Sequence, residues 1–248
     1  MPDVYKNYIN GEWIAKGSLG TFDNINPADT SDKVGVFPKS GPTEVEAAVA
    51  AAEAAQPGWA RVPAPRRGEI LKKVGDLLTA RKDEIARLMT REMGKILKET
   101  RGDVQEGIDC AYYYAGEGRR LFGDTVPSEL DNKFAMSIRR PVGVCGLITP
   151  WNFPMAIPTW KSFPALVCGN TLVFKPASDT PATAVKLVEV FEAAGVPKGV
   201  VNLVHGGGGS VGNAIVNHPK VRLVSFTGSS SVGRELASSL GKRLARCS

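Results

Sequence analysis

The second half of the chain alternates between two hydrophobic patterns. Short apolar runs rich in β-branched residues are followed by longer stretches in which apolar residues recur at helical spacing. Repeated strand–helix units predict an α/β fold whose parallel strands are joined by right-handed crossovers. The predicted elements are strand 142–148, helix 154–168, strand 171–175, helix 181–194, strand 200–204, helix 210–217, strand 222–226 and helix 230–244.

The first half has a different pattern. Residues 5–32 are rich in Asn, Gly, Asp and Pro, which is typical of short strands and turns. Helical periodicity then predicts several N-terminal helices, the first starting at Pro42 with Thr43 as a possible cap, and one ending at Gly94. Apolar and polar residues alternate over 133–139, which predicts a strand with one wet face.

Composition narrows the classes of function. The formal net charge of +6 comes from 31 basic and 25 acidic residues with no long basic run, so we expect no nucleic acid partner. Four cysteines without CxxC spacing and only two histidines argue against a disulfide framework or a metal site. We expect a cytoplasmic protein without a membrane anchor, because no signal-like or membrane-spanning apolar segment is present.

The loop at 149–154 follows the first of these strands. In open α/β sheets, ligands bind at the carboxyl ends of the strands. Two prolines stiffen the loop around Asn152, whose amide could donate to an oxygen that becomes negative during a reaction. The alternative is that Asn152 only caps a helix whose first residue is Pro154.

Two more strand ends carry candidate chemistry. Lys175 ends the second strand, where it can reach a ribose hydroxyl or a phosphate, unless it is only a solvated charge. Residues 226–229, Phe-Thr-Gly-Ser, open the last helix, whose free N–H groups form an anion site.

The glycine-rich segment 206–212 fits two unrelated patterns. It contains G-x-G-x-x-G, but the strand that follows does not end in the acidic residue that would bind a ribose. It also contains G-x-S-x-G, which makes a serine hydrolase using Ser210 an alternative. His218 is the only histidine that follows, and no acidic residue lies between the two.

Three segments resemble the NAD(P)-dependent aldehyde dehydrogenases: LITPWNFP at 147–154, NTLVFKPAS at 170–178 and VSFTGSSSVG at 224–233. The resemblance runs from about Asn10 to Ser248 and covers the front half of such an enzyme. It implies a Rossmann-like parallel sheet flanked by helices, with N-terminal helices and a protruding β arm. Residues 1–125 and 142–248 would form the dinucleotide-binding domain, with an outlying N-terminal hairpin, and 126–141 an arm that pairs with another subunit of a homo-oligomer.

The resemblance also implies roles for single residues. Asn152 would stabilise the oxyanion of the reacting aldehyde, and Lys161 would lie near the cofactor and the proton path, unless it is simply an exposed helical lysine. NAD-preferring members carry a glutamate where this chain has Ser178, so we expect NADP or NAD, with NADP tolerated or preferred. The implied cofactor-binding residues are Thr149, Pro150, Trp151, Asn152, Lys175, Ser178, Gly208, Gly212, Phe226, Thr227, Gly228, Ser229, Val232 and Gly233.

The catalytic cysteine and general-base glutamate of the family lie in segments that would follow Ser248. We therefore expect this chain to be a truncated form that lacks the catalytic domain and does not oxidise aldehyde by itself. Cys247 is expected to be an exposed thiol rather than a replacement nucleophile, because its polar surroundings lack the family's flanking pattern. The non-enzymatic alternative is a dinucleotide-binding and assembly module.

Overall fold

A computed structural model describes residues 3–248. The helices are α1 (Pro42–Arg61), α2 (Ala64–Ala80), α3 (Lys82–Met93), α4 (Leu97–Glu117), α5 (Ala156–Val167), α6 (Pro181–Ala194), α7 (Asn213–Asn217) and α8 (Ser230–Lys242). The strands are β1 (Asp3–Val4), β2 (Asn7–Ile9), β3 (Glu12–Ile14), β4 (Thr21–Ile25), β5 (Lys33–Pro38), β6 (Thr125–Val126), β7 (Ala135–Met136), β8 (Val144–Ile148), β9 (Thr171–Lys175), β10 (Val201–Leu203), β11 (Val221–Phe226) and β12 (Arg246–Cys247).

The central sheet contains seven strands in the order β12-β11-β8-β9-β10-β2-β3. The five strands from β12 to β10 are parallel; four of them were predicted from the sequence, and β12 was not. The chain leaves β8 towards β9 and β10 on one side and later returns to its other side as β11. The strand order therefore reverses at β8, and such a switch point opens a crevice at the carboxyl edge of a sheet.

Helices cover both faces of this sheet. Alternate residues of β8 point to opposite faces: Cys145 and Leu147 pack against the larger group of helices, and Val144 and Ile148 against the smaller. The larger group comprises α2 to α6 and the smaller comprises α1, α7 and α8. All residues of β8 and β9 are buried, which explains their continuous apolar runs. None of the helices within residues 3–248 is both long and apolar enough to cross a membrane.

The N-terminal hairpin is not outlying, which corrects the expectation from the resemblance. β2 pairs antiparallel with β10, so the β2–β3 hairpin extends the central sheet. Strands β1, β4 and β5 form a separate three-stranded sheet. In this position all three residues of β2 are buried. Asn7 donates to Ser40 Oγ at 2.8 Å and accepts from the His205 backbone N–H at 2.8 Å.

Several predicted local details were wrong. Gly41, not Thr43, is the N-cap of α1, and the Glu44 carboxylate accepts from its backbone N–H at 2.8 Å. The helix expected at 210 begins earlier, as a π-helical turn over Gly208–Gly212. Gly94 does end α3, in the left-handed region with φ of 82°.

The arm is less regular than predicted. Only Ala135–Met136 of the expected strand 133–139 is paired, with Thr125–Val126. Its apolar residues Phe134, Met136 and Ile138 are 74%, 62% and 56% exposed. Alternating apolar residues form a regular strand when one face of the strand packs against a neighbouring surface. Residues 3–248 provide little such surface around this segment.

Buried charged side chains of the N-terminal helices meet the ends of other helices. Arg67 donates from Nε to the carbonyl of Val167, the last residue of α5, at 2.8 Å, and from Nη1 to the carbonyl of Val62 beyond α1. Glu92 accepts from the backbone N–H groups of Ala182 and Thr183 at the start of α6, both at 2.8 Å. Each charge has the sign that complements the helix end it meets.

Candidate functional site

The loops that follow β8, β9 and β11 converge on one cavity at the switch point. Its volume is about 570 Å³ and it is open to solvent. Twelve of the fourteen residues proposed from the sequence to bind cofactor line this cavity, although they come from four separate segments. The lining residues are Ile148, Thr149, Pro150, Trp151, Asn152, Lys175, Ala177, Ser178, Asp179, Gly208, Phe226, Thr227, Gly228, Ser229 and Val232.

The loop after β8 places Asn152 at the mouth of the cavity. The backbone N–H of Thr149 donates to the carbonyl of Lys175 at 3.3 Å, which joins the ends of β8 and β9. Asn152 is exposed, and α5 begins only at Ala156 with Met155 as its N-cap. The alternative that Asn152 caps this helix is therefore wrong, and its side-chain amide is free to meet a ligand.

Lys175 is buried rather than solvated, so the surface-charge alternative is also wrong. Only 5% of the residue is exposed, and Nζ donates to the carbonyl of Pro176 at 2.6 Å. Burial lowers the pKa of Lys175 to about 8, against an opposing effect of the Asp179 carboxylate. A ligand oxygen carrying negative charge would stabilise the protonated amine in this position.

Ser178 and Asp179 follow on the same loop. The Ser178 hydroxyl lies 3.5 Å from the carbonyl of Gly206, which leaves it available to a better partner. Asp179 is exposed and lines the cavity, and sequence reasoning missed it. Its position in the sequence could have identified it, because Asp179 directly follows Ser178, a proposed ribose-binding residue.

The turn after β11 opens α8 towards the cavity. Ser229 is the N-cap, and its hydroxyl accepts from the Val232 N–H at 3.4 Å. A Cβ on Gly228 would lie 2.5 Å from Phe226 Cζ, so the packed ring leaves no room for a side chain there. Gly228 and Ser229 line the cavity, so the N-terminus of α8 lies at it, as an anion site requires.

Three predicted residues do not line the cavity. Gly212 lies behind Lys175, whose Cδ would be 3.9 Å from an added Cβ, and Gly233 packs beside Phe226. Lys161 is half-buried and donates from Nζ to Ser225 Oγ at 2.9 Å. The exposed-lysine alternative is therefore wrong, and burial lowers the pKa of Lys161.

The two hydrolase residues are not paired with each other. The Ser210 hydroxyl lies 3.3 Å and 3.4 Å from the carbonyls of Ser40 and Gly207. His218 Nε2 lies 3.0 Å from a Glu46 carboxylate oxygen. A serine nucleophile needs a hydrogen-bonded base, so this arrangement does not support a serine hydrolase.

Cys247 is exposed, as expected from the sequence. Arg246 and Cys247 form β12, which pairs with β11 at the edge of the central sheet. Within residues 3–248, no group of three or more His, Cys, Asp or Glu side chains is placed to hold a metal ion.

Several known proteins are similar to this chain in sequence and in fold. The chain is 47% identical over 232 residues to alpha-ketoglutaric semialdehyde dehydrogenase of Bacillus subtilis, covering 94% of this chain and 48% of that protein. A solved NADP-dependent enzyme of Escherichia coli superposes with a TM-score of 0.95 at 42% identity, covering 98% of this chain and 50% of that one. A betaine aldehyde dehydrogenase variant of Staphylococcus aureus, solved with NAD+, superposes with a TM-score of 0.95 at 32% identity, covering 98% and 50%.

The chain thus spans about half the length of the curated relatives it matches. The sequence model of the aldehyde dehydrogenase family matches residues 13–248, which include every loop of the cavity. The strand-end loops that form the cavity therefore lie within the part of the chain that matches the family. The chain belongs to the aldehyde dehydrogenase family.

Proposed function

We propose that residues 3–248 bind NAD(P) in the cavity at the switch point, and that the whole protein oxidises an aldehyde to a carboxylic acid. The observation that carries this proposal is the convergence of three strand-end loops on one crevice. The crevice combines a helix N-terminus with a buried lysine, which are groups that suit a pyrophosphate and a ribose. We assign 1–125 and 142–248 to the dinucleotide-binding domain on the same grounds.

The proposed placement of the dinucleotide follows from these groups. The pyrophosphate would meet the turn at Thr227–Ser229, whose residues all line the cavity. The adenosine ribose would meet Lys175 and Ser178 on the opposite wall. When bound, the nicotinamide accepts the hydride that leaves the aldehyde carbon.

The proposed role of Asn152 is to stabilise the oxyanion. Its exposed amide N–H₂ can donate to the aldehyde oxygen as a nucleophile attacks the carbonyl carbon, and donors of this kind contribute about 3 kcal/mol to the transition state. The reaction also needs a thiolate and a general base. No cysteine or glutamate is among the residues of 3–248 that line the cavity. We therefore propose that residues 3–248 bind cofactor without turning over aldehyde by themselves.

The proposed preference for NADP rests on Ser178. A carboxylate at this position would repel a 2′-phosphate, whereas a serine hydroxyl beside a lysine can donate to it. The neighbouring Asp179 carboxylate acts in the opposite direction. The solved Escherichia coli enzyme, described as NADP-dependent, supports the proposal.

The relatives suggest a substrate class, and the exposed arm suggests an assembly. The Bacillus subtilis relative is named for a semialdehyde, so we propose an aldehyde that carries a carboxylate at its other end. The exposed apolar residues of 126–141 support a homo-oligomer in which this arm meets another subunit.

Calorimetric titration of the 248-residue chain with NADP and with NAD tests the cofactor proposal. We expect saturable binding of both, tighter for NADP, and weaker binding of both by Lys175→Met. Lys73→Met, on the exposed face of α2, is the control and should leave both affinities unchanged. A folded chain that binds neither dinucleotide would contradict the proposal.

Ser178→Glu tests the cofactor preference. The added carboxylate should lower the ratio of NADP to NAD affinity by about tenfold, equivalent to about 1.4 kcal/mol. Ser178→Ala removes the hydroxyl without adding charge and should change the ratio much less. Equal ratios in Ser178→Glu and wild type would show that Ser178 does not face the 2′ position.

A further inference from the structure

Two charged side chains from outside the cavity hold the loop that carries Asn152. Lys95, between α3 and α4, donates from Nζ to the backbone carbonyl of Asn152 at 2.6 Å. The same Nζ lies 3.6 Å from the centroid of the Phe153 ring, within the range of a cation–π contact. Lys95 therefore contacts two successive residues of the loop.

Asp103, on α4, holds the end of the same loop. Its Oδ1 accepts from the backbone N–H of Ala156, the first residue of α5, at 2.7 Å. Asp103 is 2% exposed, and its Oδ2 is also buried, with no hydrogen-bond partner within residues 3–248. A buried carboxylate at a helix N-terminus satisfies a free N–H and complements the helix dipole. α5 has no side-chain cap of its own.

The charge of Asp103 is sensitive to its surroundings. Burial raises the pKa of Asp103 to about 6, and the hydrogen bond from Ala156 opposes this effect. Among facing charged groups, Lys95 lowers this pKa and Glu106 raises it. At the start of α5, the side chains that lie next to Gly107 of α4 are those of Met155 and Thr159, which carry no charge.

We propose that Asp103 and Lys95 are positioning residues that together set the place of the Asn152 side chain at the mouth of the cavity. Asp103 fixes the start of α5 at Ala156, and Lys95 fixes the backbone carbonyl of Asn152. Only three residues separate Asn152 from Ala156, so a change at the helix start shifts the loop directly. The position of Asn152 then depends on whether Asp103 carries a charge.

This inference rests on the proposed function only for the catalytic use of Asn152. The positioning itself can be measured without cofactor, aldehyde or turnover. A failure of dinucleotide binding would therefore contradict the proposed function and leave the positioning untouched.

A pH titration followed by NMR tests the proposal on the wild-type chain, between about pH 4.5 and 8. Three signals are followed: the Ala156 backbone amide, the Trp151 indole N–H and the Asn152 side-chain amide. We expect all three to move with one midpoint near the Asp103 pKa of about 6. If the Ala156 amide moves at that midpoint while both loop signals stay still, Asp103 is only a helix cap and the proposal fails.

Two variants give matched controls. Asp103→Asn keeps the shape of the side chain and should abolish the shared midpoint in all three signals. Asp109→Asn removes an exposed carboxylate of the same helix, bonded to Gln105 at 2.9 Å, and should preserve it. A shared midpoint that survives in Asp103→Asn would assign the titration to another group and overturn the proposal.

Lys95 is tested by a conservative and a disruptive change. Lys95→Met removes the donor to Asn152 and should shift the Asn152 side-chain amide at all pH values. Lys95→Arg retains a donor and a cation over the Phe153 ring and should restore most of the wild-type position. Identical Asn152 signals in Lys95→Met and wild type would exclude Lys95 from the positioning.

Discussion

The cavity has two sides that are built differently. The inner side comprises β8, β9 and β10 with α5 and α6, and the outer side comprises β11 and β12 with α8. Eight of the twelve residues of α5 are buried, whereas Leu236 and Leu240 are the buried residues of α8. The start of α5 is capped by a carboxylate from another helix, whereas α8 is capped by its own Ser229.

This contrast separates two ways of holding a ligand site. On the inner side, side chains distant in sequence fix the helix ends, so the site depends on the packing of the whole N-terminal half. On the outer side, local capping and a packed phenylalanine define the turn. We expect inner-side substitutions to destabilise the whole molecule and outer-side ones to act near the turn.

The largest effect is expected from Arg67→Ala. Arg67 is 6% exposed and donates to carbonyls at the ends of two helices, so its removal leaves these acceptors without their donor. We expect the free energy of unfolding to fall by about 3 kcal/mol, measured by urea denaturation. Arg243→Ala is the outer-side match, because Arg243 donates to the carbonyls of Val216 and Val221 at 2.9 Å and 2.7 Å while half-exposed. We expect a loss of about 1 kcal/mol there, and equal losses would remove the contrast.

The next effect is a dependence of stability on pH at His205, which follows β10 on the inner side. His205 is 1% exposed, and burial lowers its pKa to about 3 from the ordinary 6.5. Below pH 6.5 the unfolded chain binds a proton at His205 that the folded chain does not. The contribution of the neutral His205 to the free energy of unfolding is therefore fully present above pH 6.5. It falls by about 1.4 kcal/mol per pH unit as pH drops towards 3.

Other buried groups act in the opposite direction. Burial raises the pKa of Glu92 to about 7 and that of Asp103 to about 6, so their protonation favours the folded chain as pH falls. The His205 effect is therefore measured as the difference in unfolding free energy between wild type and His205→Phe at several pH values. A difference that does not change from pH 7 to about pH 5 would show that His205 is accessible to protons in the folded chain.

The smallest effect is expected at the outer side. Ser229→Ala removes the N-cap hydroxyl of α8 and should lower the free energy of unfolding by about 1 kcal/mol or less. Ser229→Gly should lower it by only a few tenths of a kcal/mol, because glycine is a tolerated N-cap. Thermal unfolding of the two variants distinguishes these outcomes. A loss as large as that of Arg67→Ala would mean that α8 is as integral to the fold as α5.

The sequence predicted the parallel strands well because a strand buried on both faces has a continuous apolar run. It predicted the strand-end residues that line the cavity because strand ends meet at one edge of a parallel sheet. It missed Lys95 and Asp103, since a polar residue on an amphipathic helix ordinarily faces water and nothing local shows that it meets another helix end. It overestimated the strand at 133–139 for a related reason, because alternation does not specify a pairing partner.

The pairing of β2 with β10 has a consequence for how the chain folds. Asn7 and His205, which are bonded across this pairing, are separated by 198 positions. Closing so long a loop carries a large entropic penalty before any contact compensates for it. During synthesis, β2 can pair with β3 at once but stays without its other partner, β10, until most of the chain has emerged. The N-terminal hairpin should therefore be the last part of this sheet to acquire protection from hydrogen exchange, although it is the first to be made.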